Sequence, residues 1–224
     1  MSTKHPERAD KSDVNPFIDK LPTVINSIKT ELDEKEGVYK QIYNVVRDAL
    51  ADIKRGIQHV HRRELGQAEE KLKKAAELVK DLWVYKDRFP DLFYKHVEPV
   101  YQELAEALIL LNLFKKGELP DPDEYGIPRY QYLLGLCDFV GELRRSILLC
   151  IKDEKYKEAE ELLNVMDFVY EAVSTLIYPN AVAPGLRQKV DFVRRILEIT
   201  RADVILILCK ERMLRRVTQG VKGE

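Results

Sequence analysis

Residues 42–60, IYNVVRDALADIKRGIQHV, decide the fold class. Ile42, Val45, Val46, Ala49, Ile53, Ile57 and Val60 recur at three- and four-residue intervals, the spacing that lines one face of an α-helix. Lys40, Arg47, Lys54 and His61 step through the same region every seven residues and fall on another side of that helix, where Arg55 and Arg62 extend them. Asp48 and Asp52 are the only acidic residues between Arg47 and Arg63. Such a stripe is either ordinary solvated surface or a surface that follows phosphates without reading sequence. No aromatic platform interleaves with it, so base-stacking recognition of single strands is not evident here.

The same period runs outward in both directions. Asn15 followed by Pro16 reads as an N-cap and a proline at the first helical position, and Pro22 offers a second start. The pattern then continues to about Arg63, and Gly37 leaves open whether this is one segment or two. A further helix is expected from about Glu64 to Arg88, with Ala68, Leu72, Ala75, Ala76 and Val79 inward and Phe89-Pro90 as its stop. Others are expected at about Val97 to Lys116, Arg129 to Lys152, Glu154 to Tyr178 and Leu186 to Arg216. Gly117 to Pro128 is a loop, and Pro179 to Gly185 a break. No useful run alternates with period two. The expectation is an all-α chain with a single domain of about seven helices over residues 17–216, a disordered N-terminal segment at 1–16 and a flexible tail at 217–224.

Composition narrows the function classes. The 224 residues are 45% apolar and 33% charged, with a formal net charge of -1, so nucleic-acid binding must rest on a local patch. Cys137, Cys150 and Cys209 fit no zinc or redox spacing, and their odd number argues against a disulfide framework; they read as small buried apolar residues in a reducing compartment. The histidines are His5, His59, His61 and His96, and none completes an E-x-x-H pair, which weighs against a di-iron bundle. The longest apolar runs, such as Val204 to Cys209, are too short to span a bilayer, and the polar start from Met1 to Asn15 has no signal-peptide core. A soluble, cytoplasmic protein without a membrane partner is expected.

Two short stretches carry carboxylates in apolar surroundings. Glu103 and Glu106 share a helix face at i,i+3, and Asp138 and Glu142 share one at i,i+4. Ala107 and Leu110 stand where a basic i+4 neighbour would sit, and Asp138 and Glu142 repel each other. Leu104, Ala105, Leu108, Ile109 and Leu110 surround the first pair, and Leu133, Leu134, Leu136, Phe139 and Val140 the second, so partial burial is expected. Like charges in such a setting need a cation. Either a hard divalent metal supplies it, or lysines and arginines from elsewhere in the fold do.

Glu31-Leu32-Asp33, Tyr39, Arg47-Asp48, Lys54-Arg55 and His61-Arg62 resemble the N-terminal helices of the translin superfamily. Tyr132 to Arg145, YLLGLCDFVGELRR, resembles its central signature, and Leu186 to Asp191 with Arg201 to Val204 resemble the C-terminal part of its prokaryotic members. The resemblance spans about residues 20–210 and implies a translin-like helical bundle. In translin proper the positions matching Glu103, Glu106 and Asp138 are not acidic, and that subunit binds nucleic acid without cutting it. The branch of translin-associated factor X has acidic residues where this chain has Glu103, Glu106, Asp138 and Glu142, and there they form the metal-binding catalytic set of an endoribonuclease.

The resemblance therefore implies a Mg²⁺- or Mn²⁺-dependent endoribonuclease, with Glu103, Glu106, Asp138 and Glu142 as both metal-binding and catalytic residues. Lys40, Arg47, Lys54, Arg55, His61, Arg62 and Arg145 are the candidate nucleic-acid contacts. Arg145, at i+3 from Glu142, either pairs with that carboxylate or reaches the scissile phosphate. The expected partners are RNA, single-stranded or in short duplexes, and single-stranded DNA. Family members form hollow, roughly octameric cages, which implies a homo-octamer with inward-facing sites. Compared with the catalytic branch, this chain has a short loop between the carboxylate helices and carries its own basic stripe, so a single chain combining both features could act as a homo-oligomer without a separate partner subunit. The alternative is a non-catalytic, oligomeric RNA- or single-stranded-DNA-binding protein of the translin type.

Overall fold

The computed structural model describes residues 16–220, with side chains to Met213. Of the disordered segment expected at 1–16 and the flexible tail expected at 217–224, residues 1–15 and 221–224 lie outside the described residues, while residue 16 and residues 217–220 are helical. The chain is all-α: α1 (Pro16–His61), α2 (Leu65–Asp81), the short α3 (Pro90–Leu92), α4 (Glu98–Lys115), α5 (Arg129–Lys152), α6 (Tyr156–Ser174) and α7 (Leu186–Gly220). Residues up to Tyr43 form one unit and residues from Asn44 onward another. No helix among the described residues is long and apolar enough to cross a membrane.

Several boundaries differ from expectation. α1 is one helix of 46 residues that contains Pro22 and Gly37. Gly37 costs about 1 kcal/mol against alanine, too little to break a helix of this length. The helix expected to reach Arg88 ends at Asp81, gives way to a 3₁₀ turn at Leu82–Tyr85, and is followed after Pro90 by a π turn at Phe93–Val97. α6 ends at Ser174, short of the expected Tyr178, and α7 runs past Arg216 to Gly220.

Three helix ends turn the chain by a left-handed residue. α1 and α5 both close with such a residue, Arg63 (φ 63°) and Glu154 (φ 59°). In each case the next N–H reaches back to the helix: Glu64 to the carbonyl of His59 at 2.9 Å, and Lys155 to that of Cys150 at 2.8 Å. Neither residue is glycine, so each turn carries a local strain of roughly 1–2 kcal/mol. At the first turn the Arg63 guanidinium stacks 3.9 Å over the Phe114 ring and pairs with Glu158. α4 ends at Gly117 (φ 71°), whose N–H bonds to the carbonyls of Asn112 and Leu113 at 3.0 and 3.2 Å.

α4 is apolar on nearly every side, with Leu104, Ala105, Ala107, Leu108, Ile109, Leu110 and Leu111 all buried, so it forms the centre of its unit. It packs against α2 and most extensively against α5, which in turn packs against α6 and α7. Gly135 permits the close α4–α5 crossing. A Cβ at that position would stand 2.5 Å from the Gln102 carbonyl oxygen and 2.7 Å from Ala105 Cβ. Cys137 and Cys150 are buried as expected, and burial pushes both thiols up, that of Cys137 to about 12. Cys209 departs from the expectation and is exposed, because it lies on a side of α7 that no other described helix covers.

Candidate carboxylate site at the α4–α5 crossing

The close approach at Gly135 brings the two acidic pairs together. Glu103 and Glu106 come from α4, Asp138 and Glu142 from α5, and all four are half-buried. Glu106 has the most perturbed carboxyl among them. Burial, reinforced by the charges of Glu103, Asp138 and Glu142, raises it to about 8, and Lys189 offsets only part of this. At neutral pH Glu106 therefore holds a proton for much of the time, poised for proton transfer.

The α5 pair has protein partners. Gln102 Nε2 donates to Asp138 Oδ2, and the Lys189 ammonium pairs with Asp138 Oδ1. Glu142 Oε2 receives the His61 imidazole Nε2, and Arg145 stands 3.7 Å away. Ser146 Oγ lies 3.3 Å from the other ring nitrogen of His61. The α4 pair, by contrast, makes no side-chain hydrogen bond or ion pair among the described residues.

Lys189 reaches Asp138 because the start of α7 is pinned. Leu134 on α5 packs with Ala183 and Leu186. The Tyr130 hydroxyl donates to the Pro184 carbonyl at 2.8 Å, and Asn180 Oδ1 accepts the Gly185 N–H at 3.0 Å. The pattern Leu186 to Asp191 marked this segment, but Lys189 and Gln102 were not singled out from sequence. Their signal is slight: one lysine in the first turn of a helix, and one amide beside Glu103.

The basic stripe divides. Lys54 and Arg62 are exposed and form no side-chain pair among the described residues. Arg47 is exposed and bonded to Asp48 at 3.0 Å, Lys40 pairs with Glu36 at 2.7 Å, and Arg55 leans 3.4 Å from Asp52. Arg145 is exposed beside Glu142. His61 leaves the stripe: its side chain is only 4% exposed and joins the carboxylate site. The seven-residue step drifts around a straight helix by about 20° per repeat, and by the last turn of α1 that rotation carries His61 toward α5.

The donor set, four carboxylates, is of the oxygen type that a hard divalent cation takes, and burial with the neighbouring charges raises one of them to about 8. Among the described residues no three acidic, histidine or cysteine side chains stand in a metal-holding arrangement. Asp138 and Glu142 are engaged by Lys189 and His61 instead.

Residues 2–198 match the model of the Translin family. The chain belongs to that family. A relative, described as an uncharacterized protein of Methanocaldococcus jannaschii, is 29% identical over 205 residues, which cover 89% of this chain and 91% of the relative. Among solved structures, AfC3PO bound to duplex RNA matches with a TM-score of 0.73 at 28% identity, over 83% of this chain and 97% of that one. The crystal structure of AfC3PO matches equally well at 29% identity. Apo-NeC3PO, at 22% identity and the same TM-score over 82% of this chain and 96% of its own, shares the fold.

Proposed function

We propose that this translin-family chain is a metal-dependent endoribonuclease of the translin-associated factor X type, acting within a homo-oligomer. The observation that carries the reading is the crossing of α4 and α5, which gathers Glu103, Glu106, Asp138 and Glu142 and holds the Glu106 carboxyl at about 8. Mg²⁺ or Mn²⁺ held by these four carboxylates would supply charge neutralisation at the scissile phosphate and acidify an attacking water. In its ionised form Glu106 would take the proton of the attacking water and return it to the ribose oxygen that leaves as the P–O bond opens. Gln102 and Lys189 fix the direction of the Asp138 carboxylate. Lys54, Arg55, Arg62 and Arg145, with Arg47, are the basic groups that would follow the RNA backbone.

The likeness to AfC3PO, one structure of which contains duplex RNA, supports RNA as the partner. Exposed apolar side chains on α7, Ile199, Ile205, Leu206 and Met213, support an assembly that covers them. A second reading, a non-cutting RNA- or single-stranded-DNA-binding protein, is favoured by the engagement of Asp138 by the Lys189 ammonium and of Glu142 by the His61 imidazole.

The test is cleavage of a labelled, unstructured RNA oligonucleotide with Mg²⁺, with Mn²⁺ and with EDTA. Cleavage that requires metal supports the nuclease. Salt-dependent binding without cleavage in any of the three conditions gives the second reading.

A further inference from the structure

A cleft of about 460 Å³ opens against the carboxylate site, walled by Gln102 and Asp138 on one side and by Gly185, Gln188, Lys189 and Phe192 on the other. Its size lies within the range of small-ligand clefts, ~300–1,000 Å³. The Phe192 ring lies against the acidic stretch of α5: a Cβ on Gly141, between Asp138 and Glu142, would meet Phe192 Cζ at 3.8 Å. The half-buried ring is backed by Arg195, whose guanidinium is 5.9 Å from its centroid.

Two carboxamides border the same space. Gln102 spends its Nε2 on Asp138, which leaves its oxygen as an acceptor, and the Gln188 amide makes no hydrogen bond among the described residues. The floor of the cleft includes Gly185, where no side chain obstructs the backbone, and Leu134, part of the small apolar cluster under α7. One aromatic face, uncommitted amide groups and an apolar floor suit a ligand with a flat apolar face and a polar rim. The neighbouring ammonium of Lys189 suits the negative charge that accompanies it.

We infer that this cleft is a nucleobase subsite: one base of the bound strand stacks on Phe192 with its edge toward Gln188 and Gln102, and so sets which phosphodiester lies at the carboxylates. The inference rests on the proposed RNA reading and adds a base-dependent component that the basic stripe cannot supply. Phe192 and Gln188 act in positioning and take no part in bond breaking.

The test uses the full chain and a set of RNA oligonucleotides, each with one abasic riboside at a successive position. Affinity is measured in EDTA and the cut position in Mg²⁺ and Mn²⁺. Wild-type protein is expected to lose about five- to a hundredfold in affinity at one abasic position, the range for one stacked base. Phe192→Leu, which keeps apolar bulk, is expected to erase that position dependence, and Phe192→Tyr to restore it; melting temperature verifies that each variant folds.

Equal affinity for every abasic oligonucleotide overturns the subsite, as does a position dependence that Phe192→Leu leaves unchanged. Base dependence that follows Phe192, without cleavage in either metal, keeps the subsite and removes the nuclease. Metal-dependent cleavage without base dependence does the reverse. No RNA binding at all removes both.

Discussion

Asp52 and Glu106 are both carboxylates set into helix contacts, and their surroundings are opposite. Asp52 lies on α1 facing α2, with its side chain 3% exposed. Lys74 bonds to it at 3.0 Å, Arg55 stands at 3.4 Å and Lys71 at 4.0 Å. Burial alone would raise its carboxyl, but Lys74, Lys71 and Arg55 outweigh that and hold it below the usual range. Glu106 has three carboxylates around it, no bonded cation among the described residues, and a carboxyl raised to about 8. A fold that needs a buried acid for its architecture equips it with counter-charges, as at Asp52. The α4–α5 crossing withholds them from Glu106, and that contrast supports the function proposed for the crossing.

Activity should separate the two carboxylates most strongly. Glu106→Ala and Asp138→Ala are expected to lower metal-dependent RNA cleavage by about 10²–10⁴-fold while oligonucleotide affinity in EDTA stays near wild type. Asp52→Asn is expected to leave the cleavage rate unchanged. A cleavage assay with all three variants decides it, and equal losses at Asp52 and Glu106 would void the distinction.

Stability should separate the residues in the other direction. Asp52→Asn is expected to cost about 1–3 kcal/mol, because a charged acceptor is lost from a cationic cluster. The same scale, about 1–3 kcal/mol, applies to Gly135→Ala, which forces a methyl against the Gln102 carbonyl and pushes α4 from α5. The Gly135 variant should also lose the proton-binding group near pH 8, since the four carboxylates separate. Chemical denaturation gives the first quantity and NMR titration of the glutamate carboxyls the second.

Further effects are expected from pH. Asp52, depressed in the folded state, contributes stability above its unfolded value of 3.8 that is lost as pH falls through the lower folded value. Glu106 is raised, so between its unfolded value of 4.5 and about 8 the folded chain binds the extra proton, and stability declines as pH climbs through that window. In EDTA, Glu106→Gln is expected to flatten the decline between those limits, and Asp52→Asn to flatten the acid limb. Melting curves from acid to mildly alkaline pH compare the two.

The sequence carried some of these features well. The stretch from Arg129 to Lys152 follows the loop that ends at Pro128, and α5 occupies those residues. The two acidic pairs stood out because their neighbours are apolar, and the structure brings them together. Residues 82–97 were less legible: the chain passes through 3₁₀ and π turns around Pro90, for which periodicity has no template. Pro22 offered a second helix start and Gly37 left open whether the segment is one or two, and a long α1 contains both. Lys189, Gln102 and the inward turn of His61 depend on helix crossings far apart in sequence, and no local pattern encodes them.

The burial of two thiols gives the protein a practical handle. Cys137 and Cys150 lie inside with raised thiols and offer little thiolate to an electrophile near neutral pH, whereas Cys209 stands exposed on α7. A maleimide dye should therefore attach once per chain, so the number of photobleaching steps from a single labelled particle would count the chains it contains.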